Sequence, residues 1–159
     1  MSKNDVIAQI TAARSDTFAA VDGVSEELLC QPQTIGEWSV KDVLLHLSRW
    51  EAELVKLLFQ AKQGADIDSP IFADDFLKYN DGWWAEGKDR PLEAVMADMA
   101  GVRQQLLRRL NEFSDAELDD AERFSWMKHQ PLSELVIDLC VGHETHHNKE
   151  LLIWRQTLS

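Results

Sequence analysis

Apolar residues recur at intervals of three and four through most of this 159-residue chain, and no stretch alternates cleanly between apolar and polar. Side chains three and four apart share one face of an α-helix, whereas a strand needs a period of two, so the pattern dictates an all-α fold. Four long amphipathic segments carry it. The first is expected from about Lys3 to Val21, with Val6, Ile10, Ala13, Thr17 and Phe18 inward and Asp22-Gly23 ending it. The second starts at Ser39, three residues before Asp42, a spacing that lets the two side chains satisfy free amides at a helix end. Its stripe is Val43, Leu47, Trp50, Leu54 and Leu57.

Gly64 to Pro70 reads as a loop and Phe72 to Trp84 as a short aromatic-rich helical insert. The third helix begins near Asp89-Arg90-Pro91, with proline at a favoured first-turn position, and carries Leu92, Val95, Met99, Val102, Leu106 and Leu110. The last follows Pro131, with Leu132, Val136, Leu139, His143, then His147 or Leu151, and Trp154 on one face. Short capped turns at Ser25 to Leu28 and Ser114 to Leu118 give both halves the same order of helix, turn, helix. Four such helices make a four-helix bundle with short helical inserts in its connections, expected as a single domain over 1–159.

Two histidine sites interrupt this apolar plan. His46 lies alone between Val43 and Trp50 on the second helix, and His143-Glu144-Thr145-His146-His147 lies on the last. Imidazoles on a core-facing stripe cost free energy unless hydrogen-bonded or ligated. If the helices pack side by side, His46, His143 and His147 can converge on one metal ion and leave coordination positions open. The run is also a literal H-E-x-x-H, but the twelve residues after His147 contain no His or Asp, so a third ligand must come from upstream. His129 sits in a polar loop beside Pro131. His146, i+3 from His143, is the bystander on this reading, although a 143/146 pair also satisfies the spacing. Glu51, Glu144 and Glu150 are the nearest acidic groups to orient ligating rings, and Glu144 or Glu150 is the candidate proton carrier.

Composition narrows the partners. The formal charge of −12 argues against a nucleic-acid or anionic-membrane surface, which would call for basic patches. Two cysteines in separate segments, Cys30 and Cys140, suit a reducing cytoplasm, with Cys140 a buried small residue before it is a soft ligand. The N-terminus MSKNDVIAQI has no apolar signal core and no segment has the length to span a bilayer, so a cytoplasmic location is expected. Packing accounts for Trp38, Trp50 and Trp154, while Trp83-Trp84 and Trp126 lie in connections where a pocket mouth could form. A homodimer is expected, because long apolar stripes leave a face to pair.

Trp38-Ser39-Val40-Lys41-Asp42-Val43-Leu44-Leu45-His46-Leu47 followed by Trp50-Glu51 resembles the second-helix signature of the DinB-like (YfiT-like) metal-binding bundles. Gly142-His143-Glu144-Thr145-His146-His147 resembles their last-helix N-H-x-x-x-H. Asn80, Phe124-Ser125-Trp126 and Trp154 are similar to the ClbS/DfsB branch, which includes a self-resistance hydrolase that opens a reactive cyclopropane. The resemblance covers essentially the whole chain. It implies a DinB-like four-helix bundle with nickel or zinc on His46, His143 and His147. It also implies a small electrophilic substrate attacked by activated water or by a low-molecular-weight thiol, as in a hydrolase or thiol-dependent transferase; a non-enzymatic sequestering protein with the same pocket is the alternative. Asn148-Lys149-Glu150 departs from the H-R-G-Q common after the last ligand, so substrate contacts of other members do not transfer.

Overall fold

Two of the long helices start where a serine side chain closes the first turn, and the other two long rods start at prolines with no side-chain cap. In the computed structural model, which describes residues 1–158, Ser2 caps α1 (Lys3–Val21) and Ser39 caps α3 (Val40–Gln63). Both are complete capping boxes, with Asp5 and Asp42 answering the cap amides. A shorter helix, α2 (Glu26–Leu29), joins them. Gly64 ends α3 at φ 67, a left-handed conformation open to glycine at little cost, and the Ala65 amide turns back onto the Gln60 carbonyl at 3.0 Å.

After α3 the chain makes a 3-10 turn at Pro70–Phe72 and enters α4 (Phe76–Gly87), a few residues later than the aromatic pattern places it. Then come α5 (Leu92–Asn111), α6 (Asp115–Asp119) with its own capping box at Ser114, and a 3-10 turn at Ser125–Met127. The last rod is α7 (Leu132–Ile137), a π turn at Asp138–Gly142, and α8 (His143–Gln156). The described residues contain no strand beyond an isolated Ile35–Trp38 bridge, and no helix among them is long and apolar enough to cross a membrane.

In the bundle α3 packs chiefly on α5 and α1 chiefly on α8. Leu54, Leu57, Leu58, Leu106, Leu110 and Phe113 fill the main core with Val6 and Ile10, and a second cluster gathers Val43, Leu47, Leu151 and Trp154 at the other end. Phe18, expected on the inner face of α1, is 38% exposed; Arg14 takes the inward position instead. The physical reason is a set of buried carboxylates that only α3 and α8 bring to it.

The insert α4 is bolted across α3. Lys41, itself buried, donates to the Lys88 and Arg90 carbonyls at 2.8 and 2.7 Å, holding the chain just past the end of α4. Trp84 donates to Asp42 at 3.2 Å and Trp50 to Asn80 at 2.8 Å, while Trp83 meets the Trp50 ring edge-on. These contacts make α4 a fixed wall beside the His46 turn of α3.

Candidate metal centre

The π turn decides which side of the last rod faces what. Helical spacing from Leu132 puts Leu139, His143 and His147 innermost, but the buried positions are Cys140, Glu144 and Asn148, each one residue later. A π turn takes one residue more than an α turn, and one residue is about 100° of rotation, so the inward face advances by one position. His143 and His147 are thereby swung to the flank, still half-buried, where α3 presents His46.

There the three rings meet. Nε2 of His46 lies 2.8 Å from Nε2 of His143, which lies 3.1 Å from Nε2 of His147. The rings stand edge to face, with centroids 4.8 to 4.9 Å apart. Three Nε2 atoms pointing at one another cannot all be satisfied by mutual hydrogen bonds, because each pair needs one donor and one acceptor. A shared cation removes the conflict. At the ~2.1 Å typical of metal–imidazole bonds, nitrogens at right angles around an ion stand about 3.0 Å apart. Three neutral imidazoles are a donor set that suits zinc, nickel, copper or iron, so the residues fit a divalent ion.

Burial holds the rings in the form that ligates. His46 is pushed down to about 3 from an ordinary 6.5, by burial first and then by the neighbouring His143 and His147, with Asn80 opposing. Burial also lowers His143, to about 4, helped by His147 and His146. His147 is lowered by burial against the opposing pull of Glu150. For the metal-free chain the sign follows: between about 4 and 6.5 the unfolded rings take up protons that the folded ones refuse. This contribution to stability is fully present above 6.5 and is lost as the pH falls towards 4 and then 3. Urea unfolding of chelator-treated protein is expected to show lower stability at pH 5 than at pH 7.5, with His46→Asn reducing the difference.

The two acidic candidates lie in different places. Glu144 faces away from the triad, into the bundle centre, where Arg14 donates at 2.6 Å and the Thr17 hydroxyl at 2.6 Å. Arg14 also reaches Glu51 at 2.9 Å, Arg103 reaches Glu51 at 2.6 Å, and Arg103 stands 3.5 Å from Glu144. Burial alone would lower Arg14, but its hydrogen bond to Glu144 and the charges of Glu51 and Glu144 leave it raised. This two-arginine, two-glutamate network joins α1, α3, α5 and α8 one residue from His143. It occupies the Glu144 carboxylate, so Glu144 does not reach the triad as a proton carrier. Glu150 does border it, with Oε1 3.5 Å from Nδ1 of His147 and 3.1 Å from Nε2 of the exposed His146.

The sequence pattern did not point to Arg14 and Arg103, because a buried arginine looks like any surface arginine until its carboxylates arrive from other helices. Cys140 lies buried beside the same network, its thiol pushed up by burial and by Glu51, and is not part of the triad.

A cavity of about 510 Å³ opens over the three imidazoles. Trp38 and Trp50, expected to be packing residues, form its walls with Leu139, and Ile71, Phe76 and Leu77 form its mouth. Trp83 and Trp84 instead pack against α3, and Trp126 against Phe72 and Phe124. Asn80 lines the cavity and connects Trp50 to His46.

The model of the DinB superfamily matches residues 9–151. Among solved structures, an uncharacterised protein from Escherichia coli UTI89 superposes with a TM-score of 0.84 at 16% identity, covering 99% of this chain and 94% of that one. A protein from Streptococcus pneumoniae gives a TM-score of 0.84 at 12% identity, covering 100% and 93%. The colibactin self-resistance protein ClbS, crystallised in complex with dsDNA, gives 0.82 at 17% identity, covering 99% and 98%. No curated protein matches the sequence significantly. The dsDNA complex corrects one expectation. The exclusion of nucleic-acid partners drawn from the charge of −12 does not stand for a fold in which a protein is crystallised on duplex DNA. Net charge sums the whole surface, whereas a duplex needs only a local patch of the right sign.

Proposed function

The chain belongs to the DinB superfamily, and from that premise we propose that it is a metal-dependent enzyme acting on a small electrophilic molecule. The observation that supports this is the convergence of three Nε2 atoms at the floor of an open, largely apolar cavity. His46, His143 and His147 would hold a nickel or zinc ion, which when bound supplies Lewis acidity towards an electrophilic atom and towards water or a thiol nucleophile.

The chain's own residues do the rest. Burial keeps the three rings neutral, and Asn80, tied to Trp50, fixes the turn of His46. Glu150 stands on the far side of His147 from Nε2, its Oε1 3.5 Å from Nδ1, where a small closure to hydrogen-bond distance would orient the ligating ring and hold its proton on Nδ1. Trp38, Trp50 and Leu139 keep bulk water from the side of the site that a substrate would cover.

A second reading, a sequestering protein using the same cavity, draws on ClbS, named as a self-resistance protein and crystallised with dsDNA. The test is turnover by zinc-loaded and nickel-loaded protein against epoxides, activated cyclopropanes and maleyl-type acids, with and without a low-molecular-weight thiol, beside anisotropy with a labelled DNA duplex. Metal-dependent consumption of one electrophile is expected. Tight substrate or duplex binding with no metal-dependent turnover would replace the enzyme by the sequestering reading.

A further inference from the structure

The lining of the cavity over the triad says what kind of molecule it can hold. Charged residues make up 28% of the chain, yet among the described residues no Lys, Arg, Asp or Glu is found in the eleven that line this cavity. Its polar groups are four histidines and Asn80. Three of the imidazoles are turned to one another, His146 is exposed and beside Glu150, and Asn80 is engaged by Trp50. The remaining surface is Trp38, Trp50, Ile71, Phe76, Leu77 and Leu139. Away from the imidazoles, no side chain of the lining can pair with an ion carried on the body of a ligand, and a charge held against indole and leucine without a partner loses its hydration with no return. Phe76 and Leu77, 50% and 65% exposed, extend the same apolar surface outward.

We propose, building on the enzyme reading above, that the substrate has an uncharged apolar body seated between the two tryptophans and Leu139, with only its reactive end at the imidazoles. The inference also separates the two nucleophiles. A small thiol with its sulfur at the metal would lay its carboxylates against the same walls, where there is no cation to pair with them, whereas water has no such cost, so hydrolysis fits the cavity better than thiol transfer.

The experiment uses three probes of matched size, 2-naphthalenemethanol, 2-naphthoate and 2-naphthylmethylammonium, together with glutathione. Each is titrated calorimetrically into chelator-treated protein at pH 7.5. The neutral probe is expected to bind at least about tenfold more tightly than either ion, with glutathione showing no heat of binding. Leu77 is at the exposed rim, where substitution leaves the core alone. Leu77→Asp is expected to weaken the neutral probe several-fold, and Leu77→Lys to narrow its lead over naphthoate. Naphthoate or glutathione binding as tightly as the alcohol, no binding of the alcohol, or alcohol binding indifferent to Leu77→Asp would each overturn the inference. Because these arms contain no metal, failure of the protein to take up zinc would sink the metal-centre reading and leave this comparison standing.

Discussion

His46→Ala, His143→Ala and His147→Ala are each expected to lower the affinity for zinc or nickel by more than about 100-fold, beyond what loss of a supporting hydrogen bond around a ligand produces. His146→Ala, which removes an exposed ring paired with Glu150, is expected to stay within tenfold, and Glu150→Gln to fall between the two. Metal stoichiometry by mass spectrometry and competition with a chelating dye measure this on untagged protein. Full affinity retained by His46→Ala would dissolve the triad, since His46 is the single ligand from α3 and a site made only by α8 would not need it. Turnover is expected to vanish with each ligand, since a nucleophile activated by the ion is lost when the ion is lost.

The other large effect is on stability. Glu144→Ala is expected to cost about 3–5 kcal/mol in urea unfolding, because it leaves Arg14 buried with half its partners gone. Glu122→Ala, which breaks the exposed His129 pair, is expected to cost no more than about 1 kcal/mol. The contrast follows from solvent: water screens Glu122 and His129 in the folded state and replaces either when it is lost, but it does not reach the bundle centre. Equal costs for the two variants would mean that the inner network is hydrated. In Glu144→Ala, metal affinity should also fall, because the carboxylate that ties α8 to α1 and, through Arg14, to Glu51 on α3 is gone while the three imidazoles remain.

The sequence was enough for the helices and for the candidate ligands. A period near 3.6, Ser caps three residues before an acidic partner, and glycine stops are local properties; α1 and α3 begin and end close to where those signals place them, and α5 begins beside the proline expected to start it. Histidines on apolar stripes stand out in the sequence because their polarity conflicts with their neighbours. That His46, His143 and His147 are brought together is a matter of two helices packing in register.

What only the tertiary structure decided is which polar residues point inward. Glu144 and Asn148 lie one position off the stripe of the last helix in sequence, yet they face the core while His143 and His147 turn to the cavity, because the π turn at Asp138–Gly142 advances the inward face by one residue. The same holds for the buried Arg14 and the partly buried Arg103, whose charges are met by Glu51 and Glu144, 37 to 130 residues away in the chain. A residue's own chemistry sets the cost of burying it, but whether that cost is met depends on partners delivered by other helices. Periodicity carries the first kind of information and none of the second.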